Sequence, residues 1–215
     1  MTLTVWGRKT SANVQALMWG IGELGLEFER HDIGHIHGGN DTPEFLAMNP
    51  NGLVPVLRDG DNPPLWETGA ILRYLANQYG AAPFWPSDPH ARAQIDKWAE
   101  WAKINATRAF TVPIFWQVVR TAPSRQDPKA ITQAIADFDA VLAIADAQLA
   151  KNAFLAGPDF TLADIQFGHI LYRYYDMMIE RPKRPHVERY YQALTARAAY
   201  REHVMVSYEP MRVRD

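Results

Sequence analysis

The chain of 215 residues contains no cysteine. That excludes disulfides, thiolate zinc sites and redox steps on a protein thiol, so thiol chemistry could enter only through a ligand. Neither sign of charge dominates: 22 Lys and Arg stand against 24 Asp and Glu, for a formal net charge of -2. The basic footprint of a nucleic-acid binder is therefore missing. The densest basic run, at 181–185, is broken by prolines and reads as a solvated loop. No stretch approaches the ~18 uninterrupted apolar residues of a membrane-spanning helix. The opening residues have neither a basic n-region nor an apolar h-region, so a cytoplasmic location is expected.

What is present is ample apolar content, 47% of residues, enough for a real core. The first third mixes two periodicities. Leu3 and Val5 alternate with Thr2 and Thr4, as in a half-buried strand, and Val14, Leu17, Met18 and Ile21 follow at helical spacing up to Gly25. Strands are expected at 26–31, 54–58 and 64–66, a short helix at 43–48, and a helix through Ile71, Leu72, Leu75 and Tyr79. The order is β-α-β-α-β-β-α. Three prolines in 81–89 suit a linker, and beyond it only helical periodicity is found, including a stripe at Ile131, Ile135, Phe138, Leu142 and Leu149. The expected fold class is α+β in two domains: an α/β unit over 1–80, a linker over 81–89 and an all-α helical bundle over 90–215. Helices are expected at 162–178, 186–197 and 198–205.

Three local sequences sharpen this. Gly7-Arg-Lys-Thr-Ser-Ala-Asn-Val14 joins the first strand to the first helix. Asn49-Pro-Asn-Gly-Leu-Val-Pro-Val-Leu57 leads into a strand. Trp66-Glu-Thr-Gly-Ala-Ile71 opens a helix. In this order and spacing they resemble the glutathione transferase family, in particular its bacterial members with a serine at the first helix. The resemblance covers nearly the whole chain, including Ala91-Arg92-Ala93, Asp96 and Trp98, and the capping-box element from Phe154 to Asp164. It implies a thioredoxin-like N-terminal domain, glutathione as co-substrate, no metal, and a homodimer.

The chemistry follows from the thiol. A free thiol titrates near pH ~8.5, so about 3% is ionised at pH 7, and the thiolate is the nucleophile. Lowering that pKa by two units takes about 2.7 kcal/mol of preference for the anion. A hydrogen bond to a charged group supplies about 1.5–3 kcal/mol and a helix N-terminus about 0.3–1 kcal/mol. One hydroxyl plus one helix end therefore suffices. Ser11 is placed for this, with Asn13 offering an amide two residues on; the alternative for Ser11 is a plain helix N-cap. By resemblance, Ser11 matches the thiol-activating serine and Asn13 an assisting asparagine, with Thr10 the weaker candidate.

The resemblance also implies that Pro55 is cis, with the Val54 main chain pairing to the cysteinyl unit of glutathione. Glu67 and Thr68 would hold the γ-glutamyl end, Thr68 standing where the family usually has serine; a capping threonine is the alternative. Leu53 departs from the lysine or arginine that many members use for the glycyl carboxylate, and His35, His37 or Lys9 are candidates to replace it. His35 and His37 have metal-like spacing but no third ligand, which favours a loop. A pocket for a hydrophobic electrophile is expected between the domains, with Trp6, Phe110, Phe115, Trp116, Tyr174 and Tyr208 as candidate walls. The expected activity is glutathione S-transfer. Glutathione-dependent disulfide or peroxide reduction, dehalogenation, isomerisation, or a non-catalytic ligand-binding role are the alternatives.

Overall fold

The computed structural model describes residues 2–215. β1 (Leu3–Trp6), α1 (Ala12–Glu23), β2 (Phe28–His31), α2 (Pro43–Met48), β3 (Val56–Asp59), β4 (Leu65–Trp66) and α3 (Thr68–Tyr79) form the thioredoxin-like unit, with a 3-10 turn at His35–His37. The sheet order is β2-β1-β3-β4. β1 runs parallel to β2 and antiparallel to β3, and β3 is antiparallel to β4. Leu3 and Val5 are fully buried, as their alternation requires.

Two strands begin later than expected. β2 starts at Phe28 because the end of α1 extends through Gly25, at φ 63°, with the Leu26 N–H still bonded to the Ile21 carbonyl. β3 starts at Val56 because Pro55 has no N–H to give the ladder; the Val54–Pro55 peptide is cis, as expected.

From Pro89 one helical run continues through α4 (Pro89–Trp101), a π turn (Ala102–Thr107), α5 (Arg108–Phe110), a second π turn (Thr111–Trp116) and α6 (Gln117–Val119). Pro113 sits in the second π turn, where its missing N–H removes a ladder bond and widens the helix. The remaining helices are α7 (Pro128–Leu149), α8 (Leu162–Gly168), α9 (Leu171–Asp176), α10 (Pro185–Thr195) and α11 (Ala198–His203). The single helix expected over 162–178 is broken between α8 and α9. Every residue from Thr161 to Leu171 is buried, so no polar face marks the break in the sequence pattern. Asp164 is wholly buried and accepts from the N–H groups of Leu155 and Thr161 at 2.9 and 2.7 Å and from the Tyr190 hydroxyl at 3.0 Å. The basic run at 181–185 is an irregular loop with Pro182, Lys183 and Pro185 exposed, as expected, but its arginines are anchored: Arg184 forks onto Asp139 of α7 and Arg181 bonds the Met177 carbonyl.

One apolar cluster runs through both halves. Residues Val14 to Ile21 of α1 are all buried, with α3, α8 and α11 packed against the helix. This clamps the N-terminus of α1 between the two halves. Among the described residues no helix is long and apolar enough to cross a membrane.

Candidate active site

The loop from β1 into α1 is built by close approach. Gly7 lies against Val14, and a Cβ there would fall 2.5 Å from Val14 Cγ2. The chain then turns so that Ser11 is the residue preceding α1, at φ -82° and ψ 127°. Its carbonyl accepts the first intrahelical bond from the Gln15 N–H at 2.8 Å, which leaves the N–H groups of Ala12, Asn13 and Val14 outside the helical ladder. No acidic residue occupies this first turn. The Ser11 side chain makes no capping bond, although the residue is 9% exposed and holds the N-cap position. A hydroxyl not used on its own helix, at the positive end of that helix, is equipped to donate to an anion.

Both halves hold this loop. Buried Gln15 donates to the Lys9 carbonyl at 3.1 Å. Arg173 of α9 donates through Nη2 to the Thr10 carbonyl at 2.8 Å and to Gln15 Oε1 at 3.0 Å. Lys103 of the first π turn donates to Asn13 Oδ1 at 3.1 Å. That bond claims the acceptor end of the Asn13 amide and leaves its Nδ2 as a donor. The two π turns supply the facing wall: Lys103, Thr107, Thr111 and Trp116 line a cleft of about 650 Å³ together with Ser11, Asn13, Leu53 and Val54.

Val54 presents a free edge. Among the described residues its N–H and carbonyl enter no hydrogen bond, and Val54 lies two residues before the start of β3. Gly52, at φ 63°, makes the turn before it. Glu67 holds a left-handed conformation at φ 70°, which costs a non-glycine residue about 1–3 kcal/mol. It is the N-cap of α3, and Thr68, fully buried, is the first helical residue rather than the cap. Glu67 and Thr68 lie outside the cleft wall, yet the Glu67 carboxylate acts on Lys103. Burial lowers the Lys103 ammonium from its ordinary range, and Glu67 and Glu100 oppose that. Lys103 thus links the Asn13 and Glu67 motifs.

The cleft is cationic. Arg173 is 2% exposed, its guanidinium lies 4.4 Å from the Phe115 ring centre, and burial together with Arg8 pushes its pKa down to about 10. Arg8 is lowered by burial and by Arg120, and Arg120 stacks 4.5 Å over Trp116. These charges also depress His35 after burial.

Of the six aromatics expected in the pocket, only Trp116 lines it, at 41% exposed. Phe110, Phe115, Tyr174 and Tyr208 are core residues in edge-to-face contact with one another, as between Phe110 and Tyr174 at 6.1 Å and Phe115 and Tyr208 at 5.4 Å. Their side chains fall on the inward faces of their helices, which spacing could not tell from the cleft face. Trp6 packs beside His31 and under Arg58, away from the cleft. His37 is exposed on its 3-10 turn and does not reach the cleft wall; Leu53 does, at 64% exposed. Among the described residues no group of His, Asp and Glu is arranged to hold a metal ion. Arg8, Lys103, Arg120 and Arg173 were not legible as site residues. For Lys103, Arg120 and Arg173 the one signal is a basic residue set in or at the end of an apolar helical stretch, clearest for Arg173 between Tyr172 and Tyr174; Arg8 lies in the loop after β1.

The Glutathione S-transferase, N-terminal domain, pattern matches residues 1–77, and the Glutathione S-transferase, C-terminal domain, pattern matches 128–193. Glutathione S-transferase GstB of Escherichia coli is 40% identical over 205 residues, covering 95% of this chain and 98% of that protein. Glutathione S-transferase 3 of Zea mays is 32% identical over 209 residues, covering 94% and 93%. A theta class glutathione S-transferase from Xanthomonas axonopodis pv. citri, solved with glutathione bound, superposes with a TM-score of 0.90 at 41% identity, covering 95% of this chain and 98% of that one. The chain belongs to the glutathione S-transferase family.

Proposed function

We propose that the protein is a glutathione S-transferase in which the Ser11 hydroxyl holds the glutathione sulfur as a thiolate for attack on a small electrophile. The observation that carries this is the Ser11 hydroxyl, left out of capping at the N-terminus of α1 and set on the cleft. Asn13 adds a second donor, with Lys103 fixing which end of its amide is free. The unpaired Val54 main chain receives the cysteinyl backbone as an added strand. Glu67 pairs with the γ-glutamyl ammonium and Thr68 assists at the N-terminus of α3. The basic contact that Leu53 cannot make passes to the cationic side of the cleft. The chain's own residues thus bind and orient the tripeptide and lower the thiol pKa; the thiol proton goes to solvent, and sulfur forms the new bond as the leaving group departs.

The protein acts as a homodimer in the cytoplasm, where a reduced tripeptide thiol persists. The test is conjugation of glutathione to an aryl halide by the purified protein, alongside calorimetry with glutathione. Saturable turnover that falls sharply in Ser11→Ala supports the reading. Glutathione binding without turnover on any electrophile refutes the enzymatic role.

A further inference from the structure

The loop from β1 to α1 is held in two ways. Its first part is tied by main-chain groups to the chain at the end of β2: the Gly7 N–H donates to the His31 carbonyl at 2.8 Å and the Arg8 N–H to the Ile33 carbonyl at 3.2 Å. The last two carbonyls before Ser11, those of Lys9 and Thr10, have no main-chain partner among the described residues. Side chains meet both. Gln15 Nε2 donates to the Lys9 carbonyl at 3.1 Å, and Arg173 Nη2 donates to the Thr10 carbonyl at 2.8 Å. The same Nη2 donates to Gln15 Oε1 at 3.0 Å. One amide thus joins the loop to a guanidinium of the helical half.

Gln15 carries the one side-chain amide in the buried run from Val14 to Ile21 of α1, and it is 1% exposed. Burying an amide is costly unless its ends are bonded. Here they are, and in one orientation alone. A carbonyl only accepts and a guanidinium only donates, so the amide must present Nε2 to Lys9 and Oε1 to Arg173. A carboxylate has no N–H for Lys9, and an apolar side chain serves neither partner. Gln15 does not line the cleft, and its main-chain N–H bonds the Ser11 carbonyl at 2.8 Å. Its side chain and main chain therefore grip the loop on both sides of the Ser11 hydroxyl.

We propose that Gln15 is a positioning residue for the thiol chemistry: its amide, bridging the Lys9 carbonyl and Arg173, fixes where the Ser11 hydroxyl stands relative to the glutathione sulfur. This rests on the transferase reading above. The contacts of Val54, Glu67 and Thr68 with the tripeptide use other elements, so loss of the bridge acts on the thiolate and not on the rest of the ligand. A hydroxyl moved off its line keeps only part of its hydrogen bond. The bound thiol then rises by about one pKa unit, and from about 6.5 its ionised fraction at pH 7 falls from about three quarters to about one quarter.

Gln15→Met keeps the length of the side chain and removes both bonds. The first measurement is the ultraviolet absorbance of the bound thiolate against pH, which reads its pKa. The second is calorimetry at pH 7 with glutathione and with S-methylglutathione, which has no thiol to ionise. The expected results are an upward shift of about one unit, a glutathione Kd weakened about threefold by linkage, and an S-methylglutathione Kd changed by less than about twofold. The rate with an aryl halide falls about threefold at pH 7 and recovers by about pH 9. Should Gln15→Met fail to fold, Gln15→Asn carries the same test, because its amide is too short to span the two partners. An unshifted thiol pKa overturns the proposal. An equal loss of affinity for both ligands also overturns it, since Gln15 then supports the whole site. If glutathione bound to the unaltered protein titrates like the free thiol, the transferase reading fails and the proposal falls with it.

Discussion

Replacing Ser11 by alanine removes one hydroxyl and little else. The side chain makes no capping bond in the structure, so the usual loss of about 1 kcal/mol for deleting a serine cap does not apply. The cost falls instead on the bound thiolate. A hydrogen bond to a charged acceptor contributes about 1.5–3 kcal/mol, which is about 1.1–2.2 pKa units on the bound thiol. Starting from a thiol lowered to about 6.5, the variant's thiol titrates at about 7.6–8.7. The ionised fraction at pH 7 then drops from about three quarters to between about 20% and 2%, so the rate falls by about 4- to 40-fold. At pH 9 the two enzymes converge, apart from the lower nucleophilicity of the stabilised thiolate. The assay is the pH profile of kcat/KM for an aryl halide, with thermal unfolding as the control. A profile superimposable on the parent's, or a rate loss accompanied by a drop of several degrees in Tm, would refute the reasoning.

Other residues give sharper contrasts. Lys103 holds the acceptor end of the Asn13 amide, so Asn13→Asp places an anion beside the thiolate and lowers kcat/KM at pH 7 more than Asn13→Ala does; the reverse order would show that Asn13 does not act as a donor. His169 is buried beside Lys103, and burial pushes its pKa down to about 3. Because that folded value lies below the unfolded value of ~6.5, its contribution is full above pH ~6.5 and is lost as pH falls toward 3, by about 2–3 kcal/mol between pH 7 and 4.5. His169→Gln flattens that slope in urea midpoints taken at the two pH values. Asp164→Asn replaces one of two accepting oxygens with a donor that faces donors; a loss of about 2–4 kcal/mol is expected, or about 4–16 °C in Tm, with the specific activity of the folded fraction retained.

The fold was legible where residues obey one periodicity. Leu3 and Val5 marked β1, and the Pro43 to Met48 helix was read with its observed bounds because Thr42 and Pro43 announce it. It was illegible where burial is complete on all sides, as at the break after Gly168. The π turns escaped notice because they depart from helical spacing by one residue, and they carry Lys103, Thr107 and Thr111 to the cleft. Ser11 and Val54 could be singled out because each sits in a short motif that resembles the family's. Arg173 could not: it lies 163 residues from Thr10, and only the tertiary fold brings the two together. For the same reason Phe110 and Tyr174 were misassigned, since helical spacing does not say which side of a helix meets solvent.

The central claim is that the Ser11 hydroxyl, not spent on its own helix, faces the sulfur of bound glutathione. A crystal structure of the complex tests it most directly. The account predicts the sulfur within about 3.5 Å of Ser11 Oγ, with both main-chain groups of Val54 paired to the ligand. A structure with that hydroxyl folded back onto the α1 backbone, and the sulfur elsewhere in the cleft, would contradict it.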